Sequence, residues 1–234
     1  MGGITVRIDI LTLFPDMMDT VLNTSIMGRA GFTGHVDYHV VNFREFSQDK
    51  HQKVDDTPYG GGAGMVLQVE PIVRAIRAIP GHENAHKILL SPQGSVYHQT
   101  HAKRLSKREH LILICGHYEG FDERLLAYID EEISLGDYVL NGGEVAAWAL
   151  VESVVRLLPG VLHNEASLEE ESHEDGLIEY PQYTKPPEFE GQTVPEVLLS
   201  GHHGKIAAWR AQKRIEQTQK KRPDLYAQWR KKDA

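Results

Sequence analysis

The sequence predicts an α/β protein built on a parallel β-sheet and followed by a small helical domain. Three observations support this fold class. Continuously apolar segments alternate with helical patterns through the first two thirds of the 234-residue chain, which is typical of parallel strands covered by helices on both faces. This alternation ends near Leu162, where acids and prolines accumulate. Basic segments with helical periodicity then continue toward the C-terminus.

The first predicted elements are a strand over 6–14 and a helix over 15–31, which has proline at its first position and glycine near its end. A second strand-like segment covers 36–43. The segment EPIVRAIRAIPG (70–81) predicts a helix that ends at Pro-Gly.

The middle of the chain continues the alternation. A short apolar strand is predicted over 87–92, a polar helix over 98–109 and another buried strand over 110–116. Helical spacing of apolar residues predicts further helices over 121–131 and, more strongly, over 144–160.

The last third has a different composition. It is rich in acids and prolines over 162–190, which indicates a flexible linker or lid. Two basic amphipathic helices, broken at Pro223, follow it. The predicted domains are therefore a sheet domain over 1–161, the linker over 162–190 and a helical domain over 191–234.

Charge is distributed unevenly along the chain. The net charge is −8, yet residues 202–234 carry ten Lys or Arg against three acids, a net charge of +7 that leaves −15 elsewhere. A basic C-terminal arm of this kind commonly binds phosphate backbones. The alternative is a solvated helix face without a partner.

Composition excludes several classes of protein. The single cysteine, Cys115, rules out an internal disulfide framework and fits a reducing compartment. The first residues carry charges at Arg7 and Asp9, and no apolar run reaches the length of a membrane span. We therefore expect a cytoplasmic protein with no membrane segment. No metal-ligand spacing is found among the 13 histidines.

Three glycine-bearing loops each follow an apolar segment: LLSPQG (89–94), ICGHYEG (114–120) and SLGDYVLNGG (134–143). Ligands of open parallel sheets bind beyond the carboxyl ends of the strands. None of the loops matches a dinucleotide or P-loop motif. Each alone would be a turn, and together they favour a ligand pocket.

A fourth glycine-rich segment, DDTPYGGGAGM (55–65), lies between a predicted strand and a helix. By itself it indicates a surface loop, and the alternative is a substrate-binding loop beside Asp55. The remaining chemical candidates are charged residues in the loops, at helix ends or in the linker: Glu119, Arg124, Glu144, Arg156, Glu169, Glu170 and Glu171.

These segments together resemble a known family. LLSPQG, CGHYEGFDER, EISLGDYVLNGGE, RLLPGVL, YPQYTKP, VPEVLLSG and VDDTPYGGGAGM are similar to motifs of the bacterial tRNA (guanine-N1)-methyltransferases of the TrmD family, within the SPOUT superfamily. The match extends over about residues 6–210.

The resemblance implies a SPOUT-type α/β domain with a deep trefoil knot, joined to a helical domain, and a homodimer with its active site between subunits. It implies that S-adenosylmethionine donates a methyl group to N1 of guanosine at position 37 of tRNA, just 3′ of the anticodon, which maintains the reading frame. Magnesium is possible in the family, but no ligand pattern in this sequence supports it.

The resemblance also assigns residues. The cofactor pocket would comprise Leu90, Ser91, Pro92, Gly94, Gly116, Tyr118, Glu119, Gly120, Leu135, Gly136, Asp137, Tyr138, Val139, Leu140, Asn141, Gly142 and Gly143. Residues of the fourth loop would recognise the tRNA: Asp55, Tyr59, Gly60, Gly61 and Gly62.

For catalysis the family pattern implies that Arg156 stabilises negative charge at O6 while a linker carboxylate removes the N1 proton. The family base is an aspartate in Asp-Ser-Phe, whereas this chain has Glu171-Ser172-His173. Glu171 is therefore the expected base, and the alternatives are Glu169, Glu170 and Asp175. The departure also leaves open a non-catalytic RNA-binding module, and a third hypothesis is a SPOUT enzyme that acts on ribosomal RNA.

Overall fold

A computed structural model describes residues 5–162 and 171–232 of the chain. The chain divides into two compact units, Met1–His163 and Asn164–Ala234. Within the described residues, no helix combines the length and apolar composition that crossing a membrane requires.

The first unit contains a five-stranded sheet in which every neighbouring pair is parallel. This confirms the predicted α/β class with a parallel sheet. The order is β2-β1-β6-β5-β7. These strands are β1 (Val6–Thr12), β2 (Val36–Asn42), β5 (His86–Val96), β6 (His110–Cys115) and β7 (Glu131–Ser134).

Helices cover both faces of this sheet because its strands are apolar on both sides. Leu111 and Leu113 belong to one buried cluster, whereas Ile112 and Ile114 belong to the other, as the alternation of side chains along a strand requires. The first cluster includes residues of α1 (Pro15–Leu22), α2 (Ser25–Phe32), α4 (Gln99–Leu105) and α5 (Glu144–Val155). The second includes α3 (Val69–Ala78) and a 3-10 helix at Phe43–Phe46.

Several predicted elements differ from the observed ones. The helix expected over 15–31 is two helices, α1 and α2, separated at Asn23 and Thr24. The helix expected over 121–131 is wrong: a 3-10 helix occupies Glu123–Tyr128, and the chain then enters β7. Strand β7 forms because residues from Glu131 onward pair with the edge of β5, so tertiary pairing overrides local helical spacing.

The fourth glycine-rich segment is the turn of a short antiparallel hairpin. Strand β3 (Asp55–Asp56) pairs with β4 (Val66–Leu67). Gly60, Gly61, Gly62 and Gly64 adopt positive φ angles, a conformation that glycine reaches without steric cost.

In the second unit, strands β8 (Glu188–Phe189) and β9 (Gln192–Thr193) form a hairpin. It is followed by helices α6 (Glu196–Leu199), α7 (His203–Lys221) and α8 (Pro223–Lys232). The proline of α8 occupies its first position, where the missing N–H costs no helical hydrogen bond.

Part of the predicted linker contacts these helices. The Ile178 N–H donates to Thr218 Oγ1 at 3.0 Å, and the Arg214 guanidinium pairs with Asp175 at 2.6 Å. Residues 171–180 are thus attached to α7. The predicted linker function of 162–190 and the helical domain over 191–234 stay predictions.

Candidate functional site

The three glycine-bearing segments meet at the carboxyl edge of the sheet because β6, β5 and β7 are adjacent parallel strands. The first of them, expected as a loop over 89–94, lies within β5, at its shift in register with β7. The three segments enclose a cavity of about 250 Å³ within the first unit. Fourteen of the residues assigned to the cofactor pocket line this cavity: Leu90, Ser91, Pro92, Gly116, Tyr118, Glu119, Gly120, Leu135, Tyr138, Val139, Leu140, Asn141, Gly142 and Gly143.

Three assigned residues do not line the cavity. They are Gly94, Gly136 and Asp137. A Cβ at Gly94 would lie 2.5 Å from the backbone of Glu132 and Ile133, at the shift in register between β5 and β7. Gly94 therefore permits close approach of two strands, and any contact of these three residues with a ligand stays a prediction.

Close backbone packing explains one glycine of the pocket, Gly143. A Cβ at Gly143 would lie 2.7 Å from Cys115 Cα and 2.9 Å from Gly116 N. The Gly143 N–H donates to the Gly116 carbonyl at 2.9 Å. The loop that follows β7 is thereby held directly against the end of β6, and a side chain at Gly143 would separate them.

A buried polar network adjoins these loops. Glu144, the first residue of α5, is 2% exposed. The Thr12 hydroxyl donates to its Oε1 at 2.5 Å, and His117 Nε2 lies 2.9 and 2.8 Å from its two carboxylate oxygens. A buried carboxylate needs such partners. The network links the end of β1, the loop after β6 and the start of α5.

His117 also lines the cavity, and sequence reasoning missed it. Glu144 was a candidate, but nothing indicated which residue it contacts. The sequence offered one signal for such a partner: Glu144 begins an apolar helix, and a carboxylate buried there requires a hydrogen-bond donor. The other lining residues that sequence reasoning missed are Leu89, Gln93, Phe121, Asp122, Glu123, Leu126, Glu132, Ile133, Ser134 and Ala146.

The environment of Cys115 argues against nucleophilic catalysis by its thiol. Cys115 is fully buried at the end of β6. Desolvation, together with the nearby charge of Glu144, raises the pKa of this thiol well above its usual value. The thiolate is the reactive form, so Cys115 acts as a core residue.

Asp122 and Arg124 form an ion pair beside the cavity. The Arg124 guanidinium donates to both carboxylate oxygens of Asp122, at 2.9 and 2.6 Å. These hydrogen bonds, with a further one from the Arg124 backbone N–H, lower the pKa of Asp122. The charge of Arg124, a candidate from the sequence, is thus paired with a carboxylate.

The β3–β4 hairpin approaches the same edge. The Glu119 N–H donates to the Met65 carbonyl at 3.0 Å, and the Leu67 N–H donates to the Gly120 carbonyl at 2.9 Å. A Cβ at Gly64 would overlap the Glu119 side chain. None of the residues assigned to tRNA recognition lines the cavity; they are Asp55, Tyr59, Gly60, Gly61 and Gly62. The side chain of Tyr59 is fully exposed.

The two expected catalytic residues lie in different units. Arg156 is the half-buried C-cap of α5 in the first unit. Glu171 belongs to the second, where its carbonyl accepts from the Glu174 N–H at 3.3 Å. The alternatives Glu169 and Glu170 lie outside the described residues.

Asp175, the remaining alternative base, is paired with a cation. Its partial burial opposes ionisation, but hydrogen bonds from the Arg214 guanidinium and the Leu177 N–H outweigh this effect and lower the pKa of Asp175. A lowered pKa makes a carboxylate a weaker proton acceptor. Over residues 5–162 and 171–232, no group of three or more His, Cys, Asp or Glu side chains is placed to hold a metal ion.

A parallel sheet with a glycine-lined cavity at its carboxyl edge defines a ligand-binding α/β protein. The family model described as tRNA (Guanine-1)-methyltransferase TrmD matches residues 6–228. The chain belongs to this family and is an enzyme, a methyltransferase.

Several similar proteins are named tRNA (guanine-N(1)-)-methyltransferase. The protein of Brevibacillus brevis is 54% identical over 94% of this chain and 90% of its own length. That of Ruminiclostridium cellulolyticum is 55% identical over 94% and 96%. That of Metamycoplasma arthritidis is 52% identical over 97% and 98%.

Proposed function

We propose that this chain transfers a methyl group from S-adenosylmethionine to N1 of the guanosine 3′ of the anticodon, position 37 of tRNA. The observation that supports this most directly is the cavity beyond β5, β6 and β7, which is lined by the loops that the family resemblance assigns to the methyl donor. The names of the similar proteins support the same reaction.

The residues of the cavity fit an adenosine-containing cofactor. Gly142 and Gly120 line the cavity without a Cβ, which lets a nucleobase approach the backbone closely. Leu90, Leu135 and Leu140 supply apolar walls for the ring. When bound, S-adenosylmethionine would supply an electrophilic methyl group on a sulfonium.

Two residues of the chain act on the guanine. N1 carries a proton at neutral pH, and Glu171 accepts it as the bond to the methyl carbon forms. Negative charge then develops toward O6, where the guanidinium of Arg156 stabilises it. Alignment of the reacting atoms requires a closed site, and the segment 162–190 is the proposed lid.

Glu171 is a better proposed base than Asp175. Both are carboxylates, but Asp175 is engaged by Arg214, and its lowered pKa disfavours proton uptake. Glu171 occupies the position of the family's aspartate. Its side chain is one methylene longer, which a small shift of the lid would accommodate.

Recognition of tRNA is proposed for two regions. Exposed Tyr59 and the open glycine turn of the β3–β4 hairpin, beside Asp55, are accessible to the anticodon loop. The basic arm, residues 202–234, would contact phosphates of the stem. Both contacts would hold the guanosine in place for methyl transfer. We propose that the reaction takes place in the cytoplasm.

We also propose a homodimer, with the active site between subunits, and the trefoil knot of the family. Apolar side chains on the outside of the first unit support the dimer: Val145 is 42% and Trp148 is 40% exposed on α5, and Val139 is 83% exposed. A second copy would cover them. The hydrogen bond from Gly143 to Gly116 is compatible with a knotted loop crossing.

The test is methyl transfer from labelled S-adenosylmethionine to tRNA transcripts with guanosine or adenosine at position 37. We expect transfer to the guanosine transcript only, with a loss of about 100-fold or more in Glu171→Gln. The matched control is Glu174→Gln, a change of the same kind three residues away, which should retain activity.

Other outcomes would revise the proposal. Activity that survives in Glu171→Gln moves the base to Glu169, Glu170 or Asp175. RNA binding without methyl transfer by the unaltered chain would overturn the reaction and favour a non-catalytic binding module.

A further inference from the structure

A second cavity, of about 510 Å³, lies within the second unit and is not part of the proposed catalytic site. Its wall comes from three segments: YPQYTKP (180–186), the region of α6, and one face of α7. The first of these helped to identify the family and lies within the segment proposed as the lid, but none of its residues has been assigned a contact with the substrate.

Aromatic and cationic side chains line the cavity together with six apolar residues: Pro181, Pro187, Val194, Leu198, Leu199 and Ile206. Tyr180, Tyr183 and Trp209 supply the aromatic surface, and Lys185 and Arg210 supply the charge. Among the described residues that line it, there is no Asp or Glu. Aromatic rings beside cations are the chemistry that binds unpaired nucleotides, in which bases stack and phosphates are neutralised.

The two tyrosines have different environments. Tyr180 is 8% exposed, and the Arg210 guanidinium lies over its ring at 4.7 Å from the centroid. Tyr180 therefore forms the floor of the cavity. Tyr183 is 48% exposed, and its ring is tilted 56° from Trp209 at a centroid distance of 6.4 Å. The tilt prevents parallel stacking between these two rings.

We propose that this cavity receives one unpaired nucleobase of the RNA substrate, stacked on Tyr183, with its phosphate beside Lys185. The inference rests on the proposed function, because it assumes that the chain binds tRNA. It adds a second base-binding site, separate from the one for the methylated guanosine. The exposed charge of Lys185 beside aromatic rings favours a nucleotide over an apolar peptide.

The experiment compares two substitutions of Tyr183 in the full-length protein. Tyr183→Leu removes the aromatic face but keeps an apolar side chain, whereas Tyr183→Phe keeps the stacking surface. The control is Tyr128→Leu, since Tyr128 is 41% exposed in the first unit and lines neither cavity. The measured quantities are the Kd for a full-length tRNA transcript and the kcat and KM for methyl transfer.

We expect Tyr183→Leu to raise the Kd and the KM for tRNA about tenfold, which is the scale of one lost base stack. The affinity for S-adenosylmethionine should stay unchanged, because Tyr183 does not line the first cavity. Tyr183→Phe and Tyr128→Leu should bind tRNA like the unaltered chain. Unchanged tRNA affinity in Tyr183→Leu would overturn the inference, as would an equal loss in Tyr128→Leu.

A second variant addresses the phosphate. Lys185→Met should lower the slope of log Kd against log salt concentration by about one unit, because one fewer counterion is released. A slope identical to that of the unaltered chain would exclude a phosphate beside Lys185. Because the unaltered chain is assayed for methyl transfer in parallel, failure of the proposed reaction is distinguished from failure of this cavity assignment.

Discussion

At the residue scale, Gly143 is a position of the pocket where an added side chain would meet backbone atoms. A Cβ there would lie 2.7 Å from the Cα of Cys115, and the neighbour is backbone in a buried strand that cannot rotate away. We expect Gly143→Ala to separate the loop from β6, to lower stability by about 1–3 kcal/mol and to weaken binding of S-adenosylmethionine.

Calorimetric titration and thermal unfolding would measure both effects. Gly204→Ala is the matched control: Gly204 lies in the first turn of α7, and its new Cβ would meet nothing closer than 3.9 Å. Stability and cofactor binding equal to those of the unaltered chain in Gly143→Ala would show that the loop accommodates a methyl group.

Individual residues also show where sequence reasoning ends. The glycine loops were identifiable because the backbone freedom of glycine is a property of the residue itself and does not depend on a contact partner. His117 was not, because its role depends on contact with Glu144, which is 27 positions away along the chain. Pairing between distant side chains is a property of the fold, and no local pattern contains it.

At the element scale, strand β7 was missed because it is only four residues long, its first residue falls in the helix predicted over 121–131, and its pairing with β5 is non-local. Its position at the edge of the sheet is reinforced by ion pairs. His86 Nε2 lies 2.9 Å from Glu131, and Arg104 of α4 contacts the same carboxylate. Glu131 thus joins three elements: β5, β7 and α4.

These contacts predict a pH dependence of stability. Burial opposes ionisation of Glu131, but hydrogen bonds from Arg104 and His86 outweigh it and lower the pKa below the usual 4.5. A lowered folded-state pKa contributes stability that is fully present above the unfolded value and is lost as the pH falls through the folded value. We therefore expect Glu131→Gln to lower the free energy of unfolding at pH 7. The difference from the unaltered chain should shrink progressively below about pH 4.5.

Urea unfolding of both proteins at several pH values between about 7 and 3 would measure this difference. Glu83→Gln, a change at a residue whose side chain is 70% exposed, is the control and should have a small effect throughout. A Glu131→Gln difference that grows as the pH falls would contradict the assignment.

At the scale of the whole molecule, the sequence predicted the parallel sheet and the site at its carboxyl edge, because strand periodicity and loop glycines are local signals. The sequence did not indicate how the two proposed catalytic residues, one in each unit, would reach the same guanine. Arg156 and Glu171 lie in different units, and the proposed dimer offers the explanation that each active site takes one of them from each subunit.

That arrangement predicts complementation between two inactive variants. In a heterodimer of Arg156→Ala and Glu171→Gln subunits, one site would carry both substitutions and the other would carry neither, because the symmetry of the dimer exchanges the contributions. A purified heterodimer would therefore hold one unaltered site of two, and we expect about half of the unaltered activity. Methyl transfer by tandem-tagged, purified heterodimers is the measurement, and each variant homodimer is the control. Heterodimers as inactive as the two homodimers would show that both residues serve a site within one subunit, since every site would then carry one substitution.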